Sequence, residues 1–326
     1  HRRDDNTGNV FKDSCCDDTA AEFAMMEKLM VDTGVTWVRD YKVSGFRFDI
    51  MTFHPLASMQ KFQDAVEAVD PSVYIYGEGW NFGAVQDDKR FTTARQANLG
   101  GTGIGSFSDR IRDPVRGGGP FDSGANHVLN QGFISGWFYA PNAVNSGSAA
   151  ERQALIEDSD NIRAWLAGGL ASFRFTDASG AVTTGADVDY RGQKSGYTKD
   201  PQEAINYISK HDNETIWDIS QYKHATGTPL AERVRADNVG MSVIMLAQGI
   251  PFLQAGTEIL RSKSMDRNSY ASGDWLNEID WTLATSKWNQ GLPRAADNAG
   301  NVEQVKNVIL DVTAVQDQAA RQAALA

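Results

Sequence analysis

Residues 44–78 constrain the fold more than any other stretch. Ser44-Gly-Phe-Arg-Phe-Asp-Ile-Met51 is short and bulky, and it follows a turn-like Lys42-Val-Ser-Gly45 lead. Behind Pro55, which suits a helix start, Met59, Phe62, Val66 and Val69 recur at helical spacing until Asp70-Pro71. Val73-Tyr-Ile-Tyr-Gly-Glu78 reads as the next strand. Strand, helix and strand within about 30 residues make a βαβ unit, whose strands run parallel. Further strand patterns stand at Ala204–Lys210 and Ile250–Gly256, with a helix from about Leu230 to Gln248 between them. This alternation predicts an α/β fold around a parallel sheet.

The first strand carries charge where a buried strand should not. Alternate residues share a face. Phe46, Phe48 and Ile50 are therefore expected against helices, with Gly45, Arg47 and Asp49 on the other side. Buried charge is costly unless paired, and on this strand alone a structural ion pair is explanation enough. Two later stretches change that reading. Asp49, Glu78 and Asp212 each fall at or just after a strand end. In parallel folds the loops at the carboxyl ends of the strands share one mouth. Arg47 gives Asp49 a cationic neighbour, while Tyr74, Tyr76 and Trp80 are expected to give Glu78 an aromatic one. A charged carboxylate facing a protonated one is what retaining glycoside hydrolysis uses. The first is the nucleophile, and the second is acid and then base.

Composition sets the outer limits. With 326 residues, 41% of them hydrophobic, the chain can bury a sizeable core in one large domain or two small ones. A formal net charge of −11 argues against nucleic acid or an anionic membrane as the main partner. No apolar run approaches the ~20 residues of a membrane helix. Cys15 and Cys16 are adjacent. Neighbouring Cα atoms lie ~3.8 Å apart, short of the ~4.4–6.8 Å of a disulfide. Two free thiols are at least as good a reading as a strained vicinal bond, and neither reports on compartment. Asp4–Gly8 lacks the full calcium-loop spacing, and no His/Cys cluster has metal-ligand spacing. Gly100–Gly105 and Gly117–Gly119 miss both the phosphate loop and the dinucleotide fingerprint, and read as turns around a strand and a short helix.

Thr19-Ala-Ala-Glu22 has a capping-box pattern. It opens a helix with Phe23, Met26, Met30, Trp37 and Tyr41 on one stripe and a bend or break at Gly34. Residues 139–200 read as a long loop-rich excursion with a helical island near Asn161–Leu170. Trp37 and Trp165 read as core. Trp217 and Trp275 stand open between core packing and stacking on sugar rings. Asn213-Glu-Thr215 is a glycosylation sequon read as chance, because a glycan there would block the mouth.

Gly45-Phe-Arg-Phe-Asp49, Tyr76-Gly-Glu-Gly-Trp80 and Ser209-Lys-His-Asp-Asn213 resemble three short motifs of the α-amylase clan. Their wording is similar to the pullulanase type of α-1,6-glucosidase. Gly103–Arg110, Arg116–Asp122 and Ser272–Asn277 support the likeness, which runs from His1 to about Trp281. The resemblance implies a (β/α)8 barrel with Asp49 after the fourth strand, Glu78 after the fifth and Asp212 after the seventh. It implies Asp49 as nucleophile, Glu78 as general acid/base and Asp212 as a third carboxylate holding sugar hydroxyls. Arg47 and His211 would support the nucleophile and the bound glucose, and His54, Trp80 and Asn213 would contact substrate. The implied reaction is hydrolysis of α-1,6 links in branched α-glucans such as pullulan, glycogen or limit dextrins. No cofactor is required; a structural calcium fits the family, with no ligands assigned. An extracellular or cell-surface location fits it too.

One family motif, an Asp-Val-Val-Tyr-Asn-His-like end of the third strand, has no counterpart here. The chain also begins at His1 and stops inside a helical pattern at Asp317–Ala326. Residues 1–326 are therefore expected to be the C-terminal portion of the catalytic domain. That is a partial (β/α)8 TIM barrel of roughly strands four to eight, without the first strands or a following β-sandwich. An unclosed barrel exposes strand edges, so low stability and weak activity of the piece alone are expected. The competing readings are an isoamylase-type or α-1,4-acting enzyme, and a non-catalytic glucan-binding piece.

Overall fold

The computed structural model describes residues 1–298 and 300–312. Helix α1 (Ala24–Tyr41) precedes strand β1 (Gly45–Phe48), then come α2 (Leu56–Glu67), β2 (Tyr74–Gly77), the one-turn α3 (Gln96–Leu99) and β3 (Gly105–Phe107). Helices α4 (Asp109–Arg116), α5 (Ala125–Leu129) and α6 (Ala149–Leu166) lead to two hairpins. These are β4 (Arg174–Thr176) with β5 (Val182–Thr184), and β6 (Asp189–Tyr190) with β7 (Gln193–Lys194). Strand β8 (Ala204–Asn206), helices α7 (Ile216–Lys223) and α8 (Leu230–Leu246), strand β9 (Ile250–Pro251), α9 (Asp274–Asn277) and α10 (Val302–Val312) follow. The main sheet runs β1-β2-β3-β8-β9 with every neighbouring pair parallel. The α/β class with a parallel sheet is the one that forms.

The two faces of this sheet differ in chemistry. Phe46 and Phe48 meet Phe62 of α2 edge-on, at 5.1 and 5.0 Å between ring centroids. Met51, Met59, Val66 and Ile75 join them in a core beneath α1 and α2. On the other face Phe107, Ile205 and Tyr207 gather Tyr74, Tyr76 and Phe252. Arg47 lies on that aromatic side, its guanidinium 5.8 Å from the Phe107 ring centre. A third core joins Ile111, Trp165, Trp217, Val234 and Ile244 from α4, α6, α7 and α8. Val305 of α10 is buried in it. The pattern at Asp317–Ala326 lies outside the described residues.

Helix α1 begins at Ala24 without the Thr19–Glu22 capping box. Glu22 is drawn instead to Arg2, whose Nε donates to Oε1 at 2.9 Å and whose Nη2 donates to Oε2 at 3.0 Å. Gly34 does not break the helix. A Cβ there would stand 2.2 Å from the Phe62 ring, so glycine is what lets α1 close on α2. The helix consequently turns Gly34 and Val38 inward and leaves Phe23, Trp37 and Tyr41 exposed. Trp37 is thus a surface residue tilted against Tyr41, not core.

Strand β1 stops at Phe48, and Ile50 takes a left-handed φ of 42°. The chain turns there, so Ile50 does not extend the Phe46 and Phe48 row. The 139–200 stretch is more ordered than a loop excursion. Helix α6 opens at Ala149 on a reciprocal Ser148–Glu151 capping box, well before Asn161. The short α7 has no sequence stripe to reveal it, because every one of its residues is buried. The glycine-rich turn at 100–105 does bind an anion, but the protein's own. The buried Glu203 carboxylate accepts the N–H of Gly101 at 2.6 Å and of Gly103 at 3.0 Å. Its other oxygen accepts those of Lys199 at 2.9 Å and Asp200 at 3.3 Å.

Candidate active site

Parallel strands deliver their carboxyl ends to one side of a sheet. β1, β2 and β8 accordingly bring Asp49, Glu78 and the 207–213 segment together. Arg47 spans the first two. Its Nη1 donates to Asp49 Oδ1 at 2.6 Å, and its Nη2 lies 2.9 Å from Glu78 Oε1. Lys210 spans the next two. Its Nζ lies 2.8 Å from Glu78 Oε1 and donates to Asp212 Oδ2. Three acids from three strands thus form one ionic chain, Asp49–Arg47–Glu78–Lys210–Asp212. Glu78 Oε2 accepts the Ile50 N–H at 3.2 Å, so the left-handed turn after Asp49 is tied to the neighbouring strand end.

Exposure separates the members. The Glu78 and Lys210 side chains are both 5% exposed, while those of Asp49, Asp212 and His211 are 69%, 54% and 64% exposed. A ligand therefore meets Asp49, Asp212 and His211 first, with Glu78 set behind them. Phe107 floors the cluster, 5.8 Å beneath each cation. The aromatic surround expected for Glu78 is not its nearest shell. Strand β2 ends at Gly77, so Glu78 need not share the face of Tyr74 and Tyr76. Tyr74 Oη donates to the Gln202 carbonyl, Tyr76 packs on Phe107 and Phe252, and two cations take the place beside Glu78.

Burial pushes the Asp212 carboxyl up, but Lys210, helped by His211 and Arg47, outweighs it and holds the group below the usual range. His211, 3.6 Å from Asp212, falls below an ordinary histidine because burial, Lys210 and Arg47 outweigh the pull of the two acids. His54 is lowered to about 4, by burial first and then by Arg2. It packs edge-on against Phe48, and no hydrogen bond joins it to the three acids among the described residues. Trp80 lies under the Arg112 guanidinium, which also donates to Tyr207 Oη. Asn213 has a left-handed φ of 62°, and its amide donates to the Pro120 carbonyl at 3.1 Å, which turns it toward the scaffold. Trp217 is 1% exposed, inside the core, where no sugar reaches it; Trp275 is half-exposed.

Lys210 is the site residue that the sequence reading passed over. A signal was there. Lys210-His-Asp212 repeats the basic–x–acid spacing of Arg47-Phe-Asp49. Among the described residues no three His, Cys, Asp or Glu side chains are grouped to hold a metal ion. The Asp4 carboxylate is taken by the N–H groups of Asn6 and Thr7. Cys15 and Cys16 are free and exposed. No described helix is long and apolar enough to cross a membrane.

No family model matches the chain. A pullulanase of Klebsiella pneumoniae is 46% identical over 307 residues, which is 94% of this chain and 28% of that protein. The chain is a homologue of the pullulanases. They are glycoside hydrolases of the α-amylase clan, and this homologue spans about three tenths of their length. The crystal structure of PulA from Klebsiella oxytoca superposes with a TM-score of 0.93 at 44% identity, over 99% of this chain and 30% of that one. Klebsiella pneumoniae pullulanase complexed with maltotriose superposes with a TM-score of 0.89 at 42% identity, over 99% and 31%.

Proposed function

We propose that the chain carries the catalytic carboxylates of an α-1,6-glucosidase that debranches pullulan, glycogen or limit dextrins with retention. The observation that carries this reading is the ionic chain from Asp49 through Glu78 to Asp212, set on parallel strand ends in a pullulanase homologue. We propose further that the five parallel strands are strands four to eight of a (β/α)8 barrel, with residues 1–326 its C-terminal portion.

Asp49, the exposed acid, attacks the anomeric carbon, and the bond to the leaving oxygen breaks as Glu78 gives that oxygen its proton. Water then attacks the same carbon, returns a proton to Glu78 and frees Asp49. Asp212 and His211 hold hydroxyls of the sugar. Retention, the double displacement and the individual roles are tested together. Asp49→Asn and Glu78→Gln should each lower kcat on pullulan by about 10³-fold or more. Azide should rescue the Asp49→Ala variant with an inverted glycosyl product. Near-normal turnover in either acid variant, or inversion by the unaltered protein in anomer-resolved NMR, refutes the assignment.

A further inference from the structure

Asp212 has no regular element to hold it. β8 ends at Asn206 and α7 begins at Ile216. Between them His211 and Asp212 stand largely in solvent, and Asn213 sits in the left-handed region. Residues 207–210, 214 and 215 are buried, and the exposed tip that carries Asp212 takes an anchor from elsewhere. One buried ammonium provides it. Lys263 Nζ donates to the Asn213 carbonyl at 2.5 Å, to the His211 carbonyl at 3.4 Å and to Ser269 Oγ at 3.1 Å. An ammonium has three donors, and here all three have partners. The two carbonyls are those on either side of Asp212.

Lys263 is itself held through both its backbone and its side chain. It is 1% exposed, and its backbone N–H donates to Asp218 Oδ2 of α7 at 2.7 Å. Burial lowers the ammonium below an ordinary lysine, against the pull of Asp218, Glu214 and Asp266. A desolvated cation bound to carbonyls is a costly way to fill space, and it has a directional effect. Any shift of the His211 or Asn213 carbonyl moves Asp212 against Lys210, and through Lys210 against Glu78.

We propose that Lys263 is a positioning residue that sets where Asp212 and His211 stand relative to Glu78. The proposal rests on the debranching reading above. Lys223 supplies the control. It is equally buried and donates to the carbonyls of His127 and Asn130, neither of which flanks a site acid.

The experiment compares Lys263→Met, the milder Lys263→Gln, and Lys223→Met in the full chain. Each is assayed below its own melting temperature for pullulan turnover and, by calorimetry, for maltotriose affinity. Lys263→Met should lower kcat/KM by about tenfold or more, chiefly through kcat, and weaken maltotriose by about tenfold. Lys263→Gln, which keeps two donors, should lie between it and the unaltered chain. Lys223→Met should lower the melting temperature yet keep kcat/KM and affinity within about twofold. Unchanged affinity in both Lys263 variants, or equal losses in Lys223→Met, overturns the proposal. If the unaltered chain binds maltotriose without cleaving pullulan, the debranching reading fails while affinity still judges Lys263. If it binds no maltotriose, both fall.

Discussion

Lys210 Nζ lies 2.8 Å from Glu78 Oε1, and both side chains are 5% exposed. A pair this buried is weak evidence of stability, because desolvation offsets much of the attraction. Its value is geometric. It couples β2 to the segment after β8, and so couples two of the three acids.

Removing Lys210 takes away one of the two cations on Glu78 and leaves Arg47 in place. Lys210→Met should cost about 1.5–3 kcal/mol of stability, read as a fall in the urea midpoint. Turnover of pullulan should drop by about 100-fold even where the variant is fully folded. A variant with unaltered midpoint and turnover would show that the contact is incidental.

Gly34 offers a test in which local preference and packing oppose each other. In an isolated helix alanine is better than glycine by ~1 kcal/mol. Here the added Cβ would stand 2.2 Å from a Phe62 ring that Phe46 and Phe48 already hold edge-on. Gly34→Ala should therefore lose about 1–2 kcal/mol despite its propensity. Stabilisation in thermal melts would mean that α1 and α2 pack less closely than described.

Glu203 gathers four backbone N–H groups from two loops while 1% exposed. Glu203→Gln exchanges one acceptor oxygen for a donor and sets it against N–H donors. The expected loss is about 2–3 kcal/mol, measured by chemical denaturation. Hydrogen exchange should rise at Gly101 and Gly103, and a silent variant would remove the carboxylate from this task.

Two aspartates give the stability profile opposite slopes. Burial pushes Asp237 up to about 7, with Asp218 adding to it against Ser220 and Arg233. Its folded pKa is raised, so its contribution is present below the unfolded value near 4 and is lost as pH rises through about 7. For Asp88, burial pushes upward, but hydrogen bonds from Thr93, Arg95 and Asn98 bring it down to about 2. That contribution is present above about 4 and is lost as pH falls through about 2. Asp237→Asn should flatten the profile between pH 4 and 7, and Asp88→Asn should flatten it between 4 and 2. Parallel profiles in either comparison would contradict the corresponding environment.

The alternation of strand and helix was legible because it depends on neighbours a few residues apart. So was the approach of Arg47 to Asp49, two positions along one strand end. The outward turn of Trp37 was not, since it follows from which residue of α1 meets Phe62. The sequence leaves Trp217 open for the same reason, as a tryptophan at a helix start carries no record of which side is covered. Helix α7 gave no periodic signal, because its polar residues Asp218, Ser220, Gln221 and Lys223 are buried and hydrogen-bonded alongside its apolar ones.

The amino-acid order by itself determined the α/β class, the parallel sheet, and three acids at the ends of separate strands. Those are consequences of short-range spacing and of the rule that parallel strands share one carboxyl edge. Only the tertiary structure decided that Glu78 faces Arg47 and Lys210 instead of an aromatic wall. It alone decided that Asn213 serves the scaffold and that a lysine from beyond β9 holds the carbonyls around Asp212. These are contacts between residues far apart along the chain. Charge and hydrogen-bond geometry choose such partners only after the sheet has brought the strand ends together.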